Sequence, residues 1–349
     1  MSGSGKGSQY VESPSLVELP IPRNYADIGF TEIRVTNVPE NAKDVTPVQL
    51  VTLYRPEKYN AFTPTMMREL EHAYTLFDID DRVKCIVQTG TGKMFCAGAD
   101  LDTGFVGGEE AVRDHRDGGG RVTMAINRCR KPTIAAVQGA AVGVGITMTL
   151  PMNIRIAYKD AKIGFVFARR GLVMEAASSF WLPKLIGWVQ TSLTALLIHG
   201  TLLTKSPQNS TSKALHLCTT GSVYPASHPL LDSLFTETLP TPDAVLPRAL
   251  QLASEIVANC SGVSLHLIKE LMYRGPSTPE ATHLLDSRIV YELFTSKDNK
   301  EGVRAFLDKR PTNFTGTMQN DAPAAWPWWD PVATGNRPVQ KGYKFKPNL

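Results

Sequence analysis

Two short runs of small residues offer a ligand close access to the main chain. In Lys93-Met94-Phe95-Cys96-Ala97-Gly98-Ala99-Asp100-Leu101 an apolar strand-like stretch runs into a small-residue turn. Roughly fifty residues later, Gln138-Gly139-Ala140-Ala141-Val142-Gly143-Val144-Gly145 repeats the theme ahead of a helical stretch. Residues without bulky side chains let a bound group approach the backbone closely, although one such loop alone is equally a tight packing turn. A candidate acid follows at Glu175, ahead of Ala176-Ala177-Ser178-Ser179. Apolar neighbours such as Val173 and Met174 raise its pKa, and a helix starting at Ala176 lowers it. Its plainer reading is an acidic side chain in the first turn of a helix.

Other chemistries find little support. The seven histidines, among them His72, His115, His199, His216 and His228, have no metal-like or triad-like spacing, so Ser178 and Ser179 lack the base that a hydrolase needs. Five cysteines (Cys85, Cys96, Cys129, Cys218, Cys260) form no CxxC pair and suit reduced thiols in an intracellular compartment. The three N-x-S/T matches at Asn209, Asn259 and Asn313 are then expected to be unglycosylated.

These groups need a scaffold, and the pattern supplies one. Val48 to Tyr54 reads as a strand, followed by the turn RPEKYNAFTP and a helix from about Pro64 whose apolar face is Met66, Leu70, Ala73, Tyr74 and Phe77. Further strands are expected at Val83–Thr89, Thr133–Val137 and Ile154–Tyr158. Strands that end in glycine-bearing turns opening helices argue for an α/β fold with parallel strands. Asp102 to Gly120 reads as a polar insertion, loop with some helix. The domain reading is a Gly/Ser/Pro-rich arm over 1–24, a core over 25–240, a helical region over 241–310 that serves association, and a Pro/Trp-rich tail over 311–349. Trp326, Trp328 and Trp329 are expected to pack on the core or on a neighbouring subunit.

The 349 residues, 42% apolar and 20% charged, suffice for one large domain with extensions. Thirty-seven basic against 33 acidic side chains leave a net charge of +4, with no like-charge run that suggests nucleic acid or a membrane surface. No segment reaches the ~20 apolar residues of a membrane span. Pro347-Asn348-Leu349 loosely resembles the small-basic-leucine peroxisomal signal, with Asn348 in the basic place, so a peroxisomal location is expected and a cytoplasmic one is the alternative.

The two loops together with RPEKYNAF, FCAGADL, KPTIAAVQGAAVG and SKDNKEGVRAFLDKR resemble the crotonase superfamily, the enoyl-CoA hydratases and isomerases, over about residues 45 to 310. The resemblance implies a spiral of β-β-α units with a C-terminal helical region, assembly as a trimer or hexamer, and an acyl-coenzyme A thioester as substrate. Coenzyme A enters as part of that substrate; no metal or redox cofactor is implied. It also implies that the N–H groups of Ala97 and Val144 form an oxyanion hole, with the helix after Gly145 adding its dipole, and that they stabilise the charge created by deprotonation beside the thioester. Valine stands at position 144 where the family usually has glycine, which bears on acyl-chain fit and leaves the N–H in place.

The RPEKYNAF loop and the Ala97-Gly98-Ala99-Asp100-Leu101 turn become walls of the adenine pocket, with Lys58 near phosphate and Asp100 holding its turn. Arg169 and Arg170 form ion pairs beneath the site or cap it. The two glutamates of family hydratases fall at Thr147 and Phe167, neither of which is a carboxylate base. Arg169 to Ser179 instead resembles the isomerase pattern with a single glutamate, Glu175. The expected activity is therefore the shift of a 3-enoyl-CoA double bond to the 2-position. A hydratase using Glu175 with a second, unidentified group is one alternative, and a non-catalytic scaffold that binds a partner through the tryptophan tail is another.

Overall fold

The computed structural model describes residues 20–102, 114–187 and 210–330, together with 332 and 334. Strand β1 (Ile33–Val38) pairs antiparallel with β2 (Val48–Leu53), where the expected strand begins. Thr63 then caps α1 (Pro64–Ile79), its hydroxyl accepting from the Met66 N–H, with Pro64 in the first turn where no amide donor is needed. The five apolar residues expected on its inner face are all buried.

After α1 come β3 (Cys85–Gly90), β4 (Met94–Cys96), α2 (Gly118–Arg128), β5 (Thr133–Val137), β6 (Ala140–Val142), the single turn α3 (Val144–Thr147), β7 (Ile154–Tyr158) and β8 (Lys162–Gly164). The chain continues through α4 (Ser178–Gly187), α5 (Ser210–Thr220), β9 (Val223–Pro225), β10 (Glu237–Leu239), α6 (Val245–Asn259), α7 (Gly262–Arg274), α8 (Pro279–Leu293), α9 (Lys297–Asp308) and α10 (Met318–Asp321). Two sheets result, one in the order β1-β2-β3-β5-β7-β10 and a smaller one in the order β4-β6-β8-β9. Apart from the β1–β2 and β8–β9 pairs, neighbouring strands run parallel.

Strand β3 shows how the sheet divides the core. All six of its residues are buried, and alternation sends Ile86 into the large inner cluster with Tyr74, Phe77 and Phe95. Cys85 and Val87 face the other way, onto Val245, Ala249 and Ala253 of α6. A strand covered on both faces has no polar alternation, and its sequence accordingly reads as a continuous apolar run.

The C-terminal helices form a third cluster around Val263, Leu267 and Ile289, on which Trp326 and Trp328 pack. The Trp328 indole donates to the Arg274 carbonyl at 3.0 Å, and the Arg274 guanidinium lies 4.6 Å from the Trp329 ring centre. The tryptophans thus pack on the chain's own helices. Most of the N-terminal arm, residues 103–113 of the polar insertion, His199, Asn209 and the Pro347-Asn348-Leu349 terminus lie outside the described residues.

Candidate active site

The two small-residue runs meet edge to edge because β4 and β6 are parallel neighbours in the smaller sheet. Close approach explains their glycines. A Cβ on Gly145 would sit 2.4 Å from the Cys96 carbonyl oxygen, and Gly98, at φ +104°, has the Val142 carbonyl 3.1 Å from where its Cβ would be. The RPEKYNAF segment closes over the first run. Phe62 donates its N–H to the Gly98 carbonyl at 2.8 Å, and Asp100 returns one to the Phe62 carbonyl at 2.9 Å. Asn60 fixes the turn through its side-chain amide, which donates to the carbonyls of Thr91, Met94 and Phe95 while accepting from the Arg55 N–H.

The expected donor pair needs one correction. The Ala97 N–H is committed to the Tyr59 carbonyl at 3.1 Å, so it is not free to meet a ligand oxygen. Two residues on, the Ala99 N–H has no acceptor among the described residues, and neither has that of Val144. Val144 is the first residue of α3, where helical geometry leaves the amide without an intrahelical carbonyl. This helix begins at Val144 and lasts only four residues, so its dipole adds less than the reading of a helix after Gly145 implied.

Glu175 arrives at the same place from the other side. A Cβ built on Gly119 would lie 1.6 Å from Glu175 Oε2 and 3.1 Å from Val144 Cγ2, so the carboxyl, Gly119 and Val144 converge on one point. Thr147, at the end of the α3 turn, donates its hydroxyl to Glu175 Oε1 at 2.5 Å. The expected helix start at Ala176 is also corrected. Ala176 and Ala177 occupy left-handed backbone, with φ +58° and +51°, and α4 begins at Ser178. Glu175 therefore sits on a tight turn ahead of the helix, gripped by the Ser178 N–H on its carbonyl at 3.0 Å.

Burial pushes the Glu175 carboxyl up to about 8, opposed by the Thr147 hydrogen bond and assisted by the charge of the neighbouring Asp117 carboxylate. A group half-converted near neutral pH is suited to taking and returning a proton.

The remaining candidates fall around this centre. Asp100 holds its turn by accepting from the Asp102 N–H at 3.0 Å and pairs with Arg55 at 2.8 Å, which lowers its pKa. Lys58 lies at the rim, exposed and 2.7 Å from Asp102, and Leu101 is exposed beside it. Phe167 packs its ring end 4.0 Å from the Cβ position of Gly143, an apolar wall with no acid. Arg169 donates to the Thr220 carbonyl and the Ser222 hydroxyl and so caps the end of α5. Among the described residues no group of three His, Cys, Asp or Glu side chains is placed to hold a metal ion.

A curated relative from Alternaria alternata, the enoyl-CoA hydratase AFT3-1, is 46% identical over 300 residues, which is 86% of this chain and 92% of that protein. Residues 44–198 match the model of the enoyl-CoA hydratase/isomerase family. The chain belongs to the enoyl-CoA hydratase/isomerase family. Enoyl-CoA hydratase ACTT3 of the same fungus is 45% identical with the same coverage. The enoyl-CoA hydratase structure from Bacillus anthracis superposes with a TM-score of 0.67 at 24% identity, over 82% of this chain and all of that one, a likeness of fold.

Two participants escaped the sequence reading of this family member. Asp117 and Gly119 stand at the start of α2, within the stretch read as insertion. The available signal was Asp117-Gly118-Gly119-Gly120 ahead of an apolar-periodic run. An acidic cap followed by three glycines is a poor helix opening on propensity alone, which asks for another reason to keep them.

Proposed function

We propose that this chain is an enoyl-CoA isomerase that converts a 3-enoyl-CoA to the 2-enoyl isomer with Glu175 as its single proton carrier. The observation that carries the reading is the placement of the Glu175 carboxyl beside Val144, whose backbone N–H is unengaged among the described residues, with Thr147 and Phe167 at the two positions where the resemblance puts hydratase glutamates.

In this mechanism the thioester oxygen lies between the N–H groups of Ala99 and Val144. The Glu175 carboxylate takes the proton from C2, and the C2–H electron pair moves into a dienolate whose charge rests on that oxygen. The Glu175 carboxyl then returns the proton to C4, leaving the double bond between C2 and C3 and the enzyme unchanged. Each such N–H contributes ~3 kcal/mol to lowering the barrier. Lys58 leaves Asp102 to meet a phosphate of coenzyme A. Assembly into a trimer or hexamer belongs to the same reading and is supported by the exposed Val290, Tyr291, Phe294, Val303, Phe306 and Leu307 on and beside α8 and α9.

The test is incubation with 3-enoyl-CoA and with 2-enoyl-CoA, following the absorbance of the conjugated thioester for wild type and Glu175→Gln. Conjugation gained from the 3-enoyl substrate and lost in the variant supports the isomerase; hydration of the 2-enoyl substrate without isomerisation overturns it. That second outcome has its own support. The relatives are named hydratases, and Asp117, bonded to the N–H of the residue after Glu175, supplies a nearby second carboxyl of the kind a hydratase requires.

A further inference from the structure

Asp117 accepts two main-chain hydrogen bonds. Its Oδ1 accepts from the Gly120 N–H, capping α2, and from the Ala176 N–H at 3.2 Å, across 59 positions of sequence. Ala176 is the first of the two left-handed alanines, a conformation that lacks local support for a residue with a Cβ. Through that bond Asp117 holds the backbone immediately after Glu175. The same carboxylate raises the pKa of the Glu175 carboxyl through its charge.

Asp117 also borders a cavity of about 520 Å³, lined by Gly120, Ala177, Glu71, Arg116 and Arg121 among others.

We propose that Asp117 is the positioning residue for Glu175: it grips the turn that aims the glutamate and sets its negative charge against that carboxyl. The proposal rests on Glu175 being the proton-transfer group.

The groups facing the pair are few. On its own segment are Arg116 and Arg121, the latter paired with Glu71 of α1. Farther along the cavity are Arg128, Tyr74, Cys129 and Asp78, which pairs with Arg130. From β4 comes the Cys96 thiol, which burial pushes up to about 12, so it stays neutral. From α3 comes the neutral Thr147 hydroxyl. Asp117 is thus the carboxylate whose charge raises the Glu175 carboxyl.

The experiment is infrared difference spectroscopy of the Glu175 carboxyl in the free enzyme, identified by its loss in Glu175→Gln, titrated in wild type and Asp117→Asn. Asparagine keeps the cap and the grip on Ala176 and removes the negative charge. The expected result is a Glu175 midpoint about one pH unit lower in Asp117→Asn, with the acidic limb of the kcat/KM profile moving by the same amount. Asp117→Ala, which also releases the turn, is expected to lower kcat at least tenfold with KM little changed. A Glu175 midpoint that is the same in wild type and Asp117→Asn overturns the proposal, since a purely structural cap leaves it in place. If the midpoint moves while neither enoyl-CoA is turned over, the coupling stands and the isomerase reading fails.

Discussion

The Thr147 hydroxyl donates to Glu175 across 2.5 Å, from the last residue of α3. A hydroxyl there cannot take a proton from carbon, but it selects the ionised form of the carboxyl it faces and so works against the upward push of burial on Glu175.

Thr147→Val is therefore expected to raise the Glu175 midpoint further, because it removes the hydrogen bond that favours the carboxylate and keeps the shape of the side chain. A net ~1 kcal/mol for such a bond corresponds to somewhat under one pH unit. The acidic limb of kcat/KM moves to higher pH, activity at pH 7 falls several-fold, and most of it returns above pH 9. Loss of activity that is equal at all pH values is the result that rules this role out.

Val144→Pro tests the oxyanion donor itself. Proline is well tolerated at the first position of a helix, where its missing N–H would be unpaired in any case. Val144 is that first residue, and its N–H is one of the two unengaged donors. The variant should retain far-UV dichroism and bind coenzyme A while losing 100-fold or more in kcat, on the order expected for one donor. Wild-type kcat in a folded Val144→Pro protein would remove this amide from the mechanism.

How far the site was legible follows from these residues. Glu175, Val144 and the second loop stand in compact motifs, and their positions follow from which strand precedes them. Strands β5 and β7 begin and end where their apolar runs do, because parallel strands buried on both faces keep a clean signal. The choice of Ala97 over Ala99 failed for a different reason. Which of two alanines two residues apart turns its N–H outward depends on the Tyr59 carbonyl, contributed by a loop some forty positions away. The helix start at Ala176 failed because alanine gives no hint of left-handed backbone; the Asp117 bond that supports it is long-range. Asp117 itself was hidden inside a polar stretch whose composition reads as loop.

Gly119→Ala separates stability from activity. Alanine in place of glycine within a helix favours the helical state by ~0.5–1 kcal/mol. Here the new methyl would fall 1.6 Å from Glu175 Oε2, so the carboxyl must swing away from Val144. The expected outcome is a thermal midpoint within a few degrees of wild type together with near-complete loss of turnover. Retained turnover would mean that the catalytic group does not occupy the position seen beside Val144.

The last prediction concerns stability against pH. The carboxyl of Glu175 has an ordinary value of 4.5 and is raised to about 8 in the fold. Between those values the folded chain holds a proton that the unfolded chain has released, so stability falls as pH rises across the window from about 4.5 to about 8. Above it the folded state carries a buried anion and the full penalty. Below it both states are protonated and the penalty vanishes. Glu175→Gln removes the titrating group while keeping a hydrogen-bonding side chain of the same shape. The difference in unfolding free energy between variant and wild type should therefore be small near pH 4.5. It should grow in favour of the variant with rising pH and level off above pH 8, at a value on the order of a few kcal/mol. Urea unfolding at pH 5, 7 and 9 measures it. A difference that does not change with pH would mean that the Glu175 carboxyl titrates alike in the folded and unfolded chains, and that the fold has not prepared it for proton transfer.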